Sequence, residues 1–282
     1  METIKLNNGV QMPVLGLGTY LLTPAEAEKS VITAIKNGYT LIDTANAYVN
    51  EKAVGRGIKA SGKARNEIFL ETKLWPAFYE DDAQIDKTLA RLDTDYIDLM
   101  ILHQPARNFI AGYRQLEKAY KEGKLKAIGV SNFKIDELSK LLEVCEIKPM
   151  INQVEAHPYY PQTELRKFMD KNDIAIQAWY PLGGRGNSSI INENVIKELA
   201  QKYAKTPAQI VIRWHIQKGI IVIPGSKTDS HVIDNINVFD FVLTEADMEK
   251  IAGLEKSTPL FVRQPGMLDE FAAWTPDVDG QE

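Results

Sequence analysis

The run Ile68-Phe69-Leu70-Glu71-Thr72-Lys73 decides the fold, because it is a short, mostly apolar segment of strand length that ends on an ammonium group. Its neighbours behave alike. Residues 41–43 end on the carboxylate of Asp43, with Tyr48 just beyond, and residues 96–103 end on the imidazole of His103. The segments between these runs carry helical spacing. In a barrel of alternating strands and helices every strand C-terminus opens on one face, where active sites are assembled from residues distant in sequence. Asp43, Tyr48, Lys73 and His103 are therefore expected at a common mouth.

The same alternation fills the chain on both sides. Strand candidates are 14–18, 40–43, 68–73, 96–102, 125–130, 150–154, 174–179 and 220–223, eight in all. Thr23-Pro24-Ala25-Glu26 starts a helix with an N-cap, a first-turn proline and a capping-box glutamate. Thr206-Pro207-Ala208-Gln209 repeats that signal and Thr244-Glu245-Ala246-Asp247 resembles it. Before the first barrel strand, 4–6 and 10–12 flank Asn8-Gly9, which suits a hairpin with a tight two-residue turn. From Thr258 onward proline, glycine and aromatic residues replace periodicity, as in a loop-like tail. The expected fold is α/β, a (β/α)8 TIM barrel with the hairpin closing its bottom and the tail near the mouth, in a single domain over 1–282. An open doubly wound sheet is the alternative.

Composition narrows the function. A barrel of this kind takes roughly 250 residues, so 282 residues leave no room for a second full domain. With 44% hydrophobic residues the core can be filled, and a net charge of -5 provides no basic face for nucleic acid and no polybasic membrane anchor. A small molecule is the expected partner. Cys145 stands alone, which excludes an internal disulfide and suits a core or helix-face thiol. No charged-then-apolar leader and no run near the ~20 residues of a membrane span are present, so a cytoplasmic protein is expected. His103, His157, His215 and His231 lack ligand spacing with one another or with Cys145, and no metal is expected. Gly16-Leu17-Gly18 lacks the third glycine of a dinucleotide fingerprint, since position 21 is Leu.

The four mouth residues suit proton delivery to a carbonyl. A phenol with a pKa of roughly 10 is a sluggish acid unless a cation stabilises its phenolate. A unit charge about 4 Å away is worth roughly 4 kcal/mol at an effective dielectric of ~20. Lys73 is the candidate cation, Asp43 would keep it protonated, and His103 would hold the carbonyl oxygen against Tyr48. Such a reduction needs a hydride that no side chain supplies, which implies a nicotinamide cofactor. Glu71 shares a strand face with Lys73, so it is a possible second carboxylate beside the ammonium.

Nearly the whole chain resembles the aldo-keto reductase family, and in particular small bacterial members similar to 2,5-diketo-D-gluconate reductases. The matching segments include Gly16-Leu17-Gly18-Thr19-Tyr20, Leu41-Ile42-Asp43-Thr44-Ala45 with Tyr48, Thr72-Lys73-Leu74-Trp75, Gly129-Val130-Ser131-Asn132-Phe133, Asn152-Gln153-Val154-Glu155, Pro181-Leu182-Gly183 and Ile223-Pro224-Gly225-Ser226. The resemblance implies catalytic roles for Asp43, Tyr48, Lys73 and His103. It implies that Ser131, Asn132 and Gln153 bind the nicotinamide carboxamide and that Trp179 stacks on its ring. Gly18, Thr19, Tyr20, Asp43, Leu182, Ser226, Lys227, Thr228, His231 and Asn235 complete the implied cofactor site.

At the adenosine end the sequence departs from the family pattern, with Gly225 before the serine and His231 where an arginine is usual. NADP(H) is still the expected cofactor, through Ser226 and Lys227, with NAD(H) possible. Tyr20, Trp75, Phe78, His103 and Gln104 are expected to line the substrate pocket. Gln104, standing where an aromatic residue is common, suits small polar carbonyls such as keto-sugars, dicarbonyls or short aldehydes. The tail around 261–274 resembles the family's variable specificity loop. The function expected is NADPH-dependent reduction of such carbonyls by a monomer; a cofactor-sensing subunit with little turnover is the alternative.

Overall fold

The computed structural model describes residues 1–184, 186 and 188–282. Among the described residues the strands number ten: β1 (Thr3–Lys5), β2 (Gln11–Pro13), β3 (Gly16–Gly18), β4 (Leu41–Asp43), β5 (Phe69–Leu74), β6 (Leu99–Leu102), β7 (Ile128–Ser131), β8 (Ile151–Glu155), β9 (Ala175–Trp179) and β10 (Ile221–Val222). The last eight pair in parallel with their sequence neighbours, from β3 to β10. A parallel bridge between Leu15 and Val222 closes the ring, with the Val222 N–H donating to the Val14 carbonyl at 2.9 Å. All eight expected barrel strands are present, each within a few residues of its expected bounds. The fold is thus the α/β barrel.

Parallel barrel strands are covered on both sides, so they are apolar or fully satisfied throughout. Leu41, Leu70, Leu99, Ile128 and Ile151 are completely buried, and every residue of β5 is buried, Glu71 and Lys73 among them. Helices wrap the outside, beginning where the capping signals stand. Thr23 and Glu26 exchange reciprocal bonds ahead of helix Pro24–Lys36, as Thr206 and Gln209 do ahead of Pro207–Gln217. Thr244 caps helix Glu245–Ala252. Each such cap contributes about 1 kcal/mol.

The hairpin differs in detail from its expected form. The Gly9 N–H donates to the Leu6 carbonyl, which centres the turn on Asn7-Asn8, and only Gly9 takes positive φ, +91°. This is the longer loop in which a turn is followed by one left-handed residue. The reason lies in the side chains. Asn7 donates to the Pro149 and Asp173 carbonyls, and Asn8 to the Lys126 carbonyl, just ahead of β8, β9 and β7. Both asparagines are spent pinning the hairpin across the barrel's bottom.

The tail crosses the opposite face. It is irregular except for helix Met267–Ala273, which the aperiodic sequence did not announce. Its beginning is held where the Glu155 carboxylate accepts the N–H groups of Leu260 and Phe261 at 2.5 and 3.0 Å. Its far end is fixed to a buried ion pair through the exposed Asp279. Arg91 donates to Glu51 at 2.7 Å and to Asp279 at 3.0 Å, while Thr72 donates to the other Glu51 oxygen at 2.8 Å. Lys52 adds a backbone bond to the Gln281 side chain. No described helix is long and apolar enough to cross a membrane.

Candidate active site

The C-terminal ends of β4, β5 and β6 bring Asp43, Lys73 and His103 together, and a short helical turn, Asn46–Tyr48, carries Tyr48 over them. Lys73 Nζ lies 2.5 Å from Asp43 Oδ1, 2.9 Å from the Thr44 carbonyl and 4.8 Å from the centroid of the Tyr48 ring. The Tyr48 and His103 rings meet edge-on at 5.6 Å. All four expected catalytic groups therefore converge.

Electrostatics assign their charge states. Burial works against the Lys73 ammonium, but Asp43, Tyr48 and Glu71 more than offset it and hold the lysine charged. Burial, then Lys73, lowers His103 well below its ordinary value, so the imidazole is neutral and keeps a single N–H. Tyr48 departs from the sequence expectation. Burial raises its pKa, and Lys73 pulls it back only in part because Asp43 opposes the ammonium's effect. The phenol stays protonated at neutral pH, as a proton donor should.

Beneath this group lies a second layer that sequence reading located only in part. Glu71 is completely buried; its Oε1 accepts from Gln153 Nε2 at 2.9 Å and its Oε2 from Gln177 Nε2 at 2.7 Å. Gln153 Nε2 also lies 3.0 Å from Asp43 Oδ1 and 3.0 Å from Gln177 Oε1. Burial first, then the charge of Asp43, pushes the Glu71 carboxyl up to about 8.

Residues expected at the nicotinamide end gather on one side of the mouth. Asn132, at positive φ (+66°), donates to Ser131 Oγ and to the His103 carbonyl, and Trp179 Nε1 donates to Asn132 Oδ1 at 2.8 Å. Ser131 Oγ donates to the Gln153 carbonyl. Leu182 is half-buried against the apolar core. Thr19 donates through both its N–H and its hydroxyl to the Asp43 carbonyl, and Tyr20 stacks 5.0 Å from Tyr48 while half exposed.

The expected adenosine end lies across the closing seam. A Cβ on Gly18 would meet the Ile223 carbonyl oxygen at 2.8 Å, and one on Gly225 would meet the Gly18 oxygen at 2.7 Å, so both positions need glycine here. Ser226 Oγ accepts the Thr228 N–H, His231 is exposed on helix Asp229–Ile236, and Asn235 is buried. Lys227 is ion-paired with Glu26 at 3.0 Å.

The expected pocket residues divide between rim and core. Trp75 packs edge-on against His103 at 5.0 Å and donates from Nε1 to the Trp274 carbonyl. Phe78 is buried in the main core, and both backbone groups of Gln104 are held by the Tyr79 hydroxyl. Sequence reading missed Gln177, Glu155 and the tail contacts of Phe271 and Trp274 with Trp75. Gln177 had a signal, since it lies two residues before Trp179 and so shares its strand face. The tail contacts had none.

A model of the aldo/keto reductase family matches residues 14–256. Glyoxal reductase of Bacillus subtilis is 45% identical over 260 residues, which are 90% of this chain and 93% of that one. The 9,11-endoperoxide prostaglandin H2 reductase of Trypanosoma cruzi is 44% identical, covering 90% and 91%. Among solved structures, an aldo-keto reductase from a Medee basin deep-sea metagenome library superposes with a TM-score of 0.89 at 40% identity, over 92% of this chain and 97% of the other.

Proposed function

The chain belongs to the aldo/keto reductase family and is an NAD(P)H-dependent oxidoreductase, and we propose that it reduces small polar aldehydes and ketones, dicarbonyls foremost, with Tyr48 as general acid. The observation that carries this reading is the charged Lys73–Asp43 pair, its ammonium 4.8 Å from the centroid of the Tyr48 ring, with a neutral His103 edge-on to that ring at 5.6 Å. A nicotinamide, when bound, would supply hydride to the carbonyl carbon. Oxygen then gains negative charge, and the Tyr48 O–H passes it a proton as the nearby ammonium stabilises the phenolate left behind. The His103 N–H orients the oxygen.

Ser131, Asn132 and Gln153 would hold the carboxamide, and the Trp179 face would fix the ring from one side. Their residue chemistry fits: both amide nitrogens already donate within the protein, which leaves the side-chain oxygens of Gln153 and Asn132 as acceptors for the carboxamide N–H groups. At the adenosine end, Ser226 and Lys227 favour NADPH, although Glu26 already occupies the Lys227 ammonium. Small polar substrates are supported by a rim of Tyr20, Trp75 and Trp274 around Tyr48 and His103, and by the glyoxal-reducing relative. Oxidation of NADPH by glyoxal or methylglyoxal, followed at the reduced-nicotinamide band, tests the reading. Turnover should fall at least about a hundredfold in Tyr48→Phe; undiminished turnover would refute the assignment.

A further inference from the structure

The chemistry just described makes no use of Glu71, yet this carboxylate closes a ring of three side chains inside the barrel. Glu71 on β5 accepts from Gln153 on β8 and from Gln177 on β9, and Gln153 donates in turn to the Gln177 carbonyl oxygen. All three are completely or almost completely buried. The amide orientation of Gln153 follows from its neighbours, because ionised Asp43 can only accept hydrogen bonds and the Glu71 carboxyl oxygens face the amide nitrogens of Gln153 and Gln177. Turning the amide over would set its side-chain carbonyl oxygen against the Asp43 carboxylate, in surroundings where such repulsion is poorly screened, and would leave the Glu71 oxygen without its donor. The amide nitrogen is therefore held inward, and the side-chain oxygen of Gln153, Oε1, accepts no hydrogen bond from any described residue, whereas the backbone oxygen takes those of Ser131 and Asn132.

We propose that Glu71 is a positioning residue for the cofactor: by holding the amide nitrogen of Gln153 toward the barrel interior, it fixes the Gln153 carbonyl oxygen as the acceptor for the N–H of the nicotinamide carboxamide. The proposal rests on the nicotinamide site given above. Asp43 alone is a poorer anchor, since the oxygen that faces Gln153 is already shared with Lys73 at 2.5 Å. Gln177 braces the ring from the far side and, without Glu71, loses the acceptor for its own amide. Below about pH 8, where Glu71 is neutral, its carbonyl oxygen still accepts from Gln153 while the Asp43 carboxylate opposes the turned amide.

The test compares two nucleotides that differ only in the group concerned. Dissociation constants for NADP+ and for 3-acetylpyridine adenine dinucleotide phosphate, in which a methyl replaces the carboxamide NH2, are measured by quenching of tryptophan fluorescence. The folded protein should prefer NADP+ by about tenfold, the value of one good hydrogen bond. Glu71→Leu and Gln177→Leu should each lose most of that preference through weaker NADP+ binding, with affinity for the analogue unchanged. Glu71→Gln, which retains an oxygen for Gln153, should keep it. Equal weakening of both nucleotides, unchanged preference in both leucine variants, or no preference in the parent protein would overturn the proposal. A parent protein whose fluorescence responds to neither nucleotide would overturn the nicotinamide site itself, and the proposal with it.

Discussion

At the scale of single residues, Lys73 holds the Asp43 carboxylate and the Thr44 carbonyl while lying behind the Tyr48 ring. Replacing it by Met strands Asp43 as an unpaired buried charge, so Lys73→Met should cost about 3–5 kcal/mol in denaturant unfolding as well as most of the turnover. In Tyr48→Phe the ion pair is untouched, so stability and nucleotide affinity should stay near the parent values while turnover collapses, as the two assays run side by side would show. The positions of Asp43, Lys73 and His103 were legible because strand ends in a barrel share a face. The direction in which the Tyr48 pKa moves was not. It depends on how deeply the ring is embedded and on Asp43 countering the lysine, and neither can be read from spacing. Glu71 was legible as a strand-face neighbour, but its partner Gln177 lies 106 residues away, so its role emerged only when β5 and β9 faced each other.

Among the elements, the tail shows most clearly where sequence reading stopped. Strands and capped helices announce themselves by period and by local hydrogen bonding, whereas residues 258–282 are ordered by contacts with Glu155, Trp75 and Arg91 from distant parts of the chain. Phe271 and Trp274 come to rest on Trp75, itself against His103, and the strap at Asp279 and Gln281 anchors the same tail a few residues beyond, next to the proposed substrate pocket's rim in sequence. Its two ends of the ion pair should respond differently to substitution. The Asp279 side chain is 63% exposed, so Asp279→Ala should cost no more than about 1 kcal/mol yet raise KM for dicarbonyls and leave nucleotide affinity intact. Arg91→Leu abandons buried Glu51 and should lower stability by about 3–5 kcal/mol. Steady-state kinetics and denaturant titration on the two variants separate these outcomes.

For the molecule as a whole, Glu71 links the interior to pH. Its carboxyl titrates near 8 when folded and in the ordinary glutamate range when unfolded, so between those values the folded protein retains a proton that the open chain gives up. The stabilisation is complete below the unfolded pKa and is lost as pH rises through about 8. Thermal midpoints measured from pH 5 to pH 9 should therefore fall more steeply for the parent than for Glu71→Gln; parallel curves would contradict this. The ring of strands itself ends in its shortest member, β10, where Gly18 and Gly225 press backbone against backbone. Neither can acquire a side chain without prising that joint apart, so inherited changes in nucleotide preference have a narrow path. In the cofactor site proposed above they fall to Ser226, Lys227, Thr228 and the opposing Glu26, which would leave the proposed reacting end of the barrel untouched while its choice of reductant drifts.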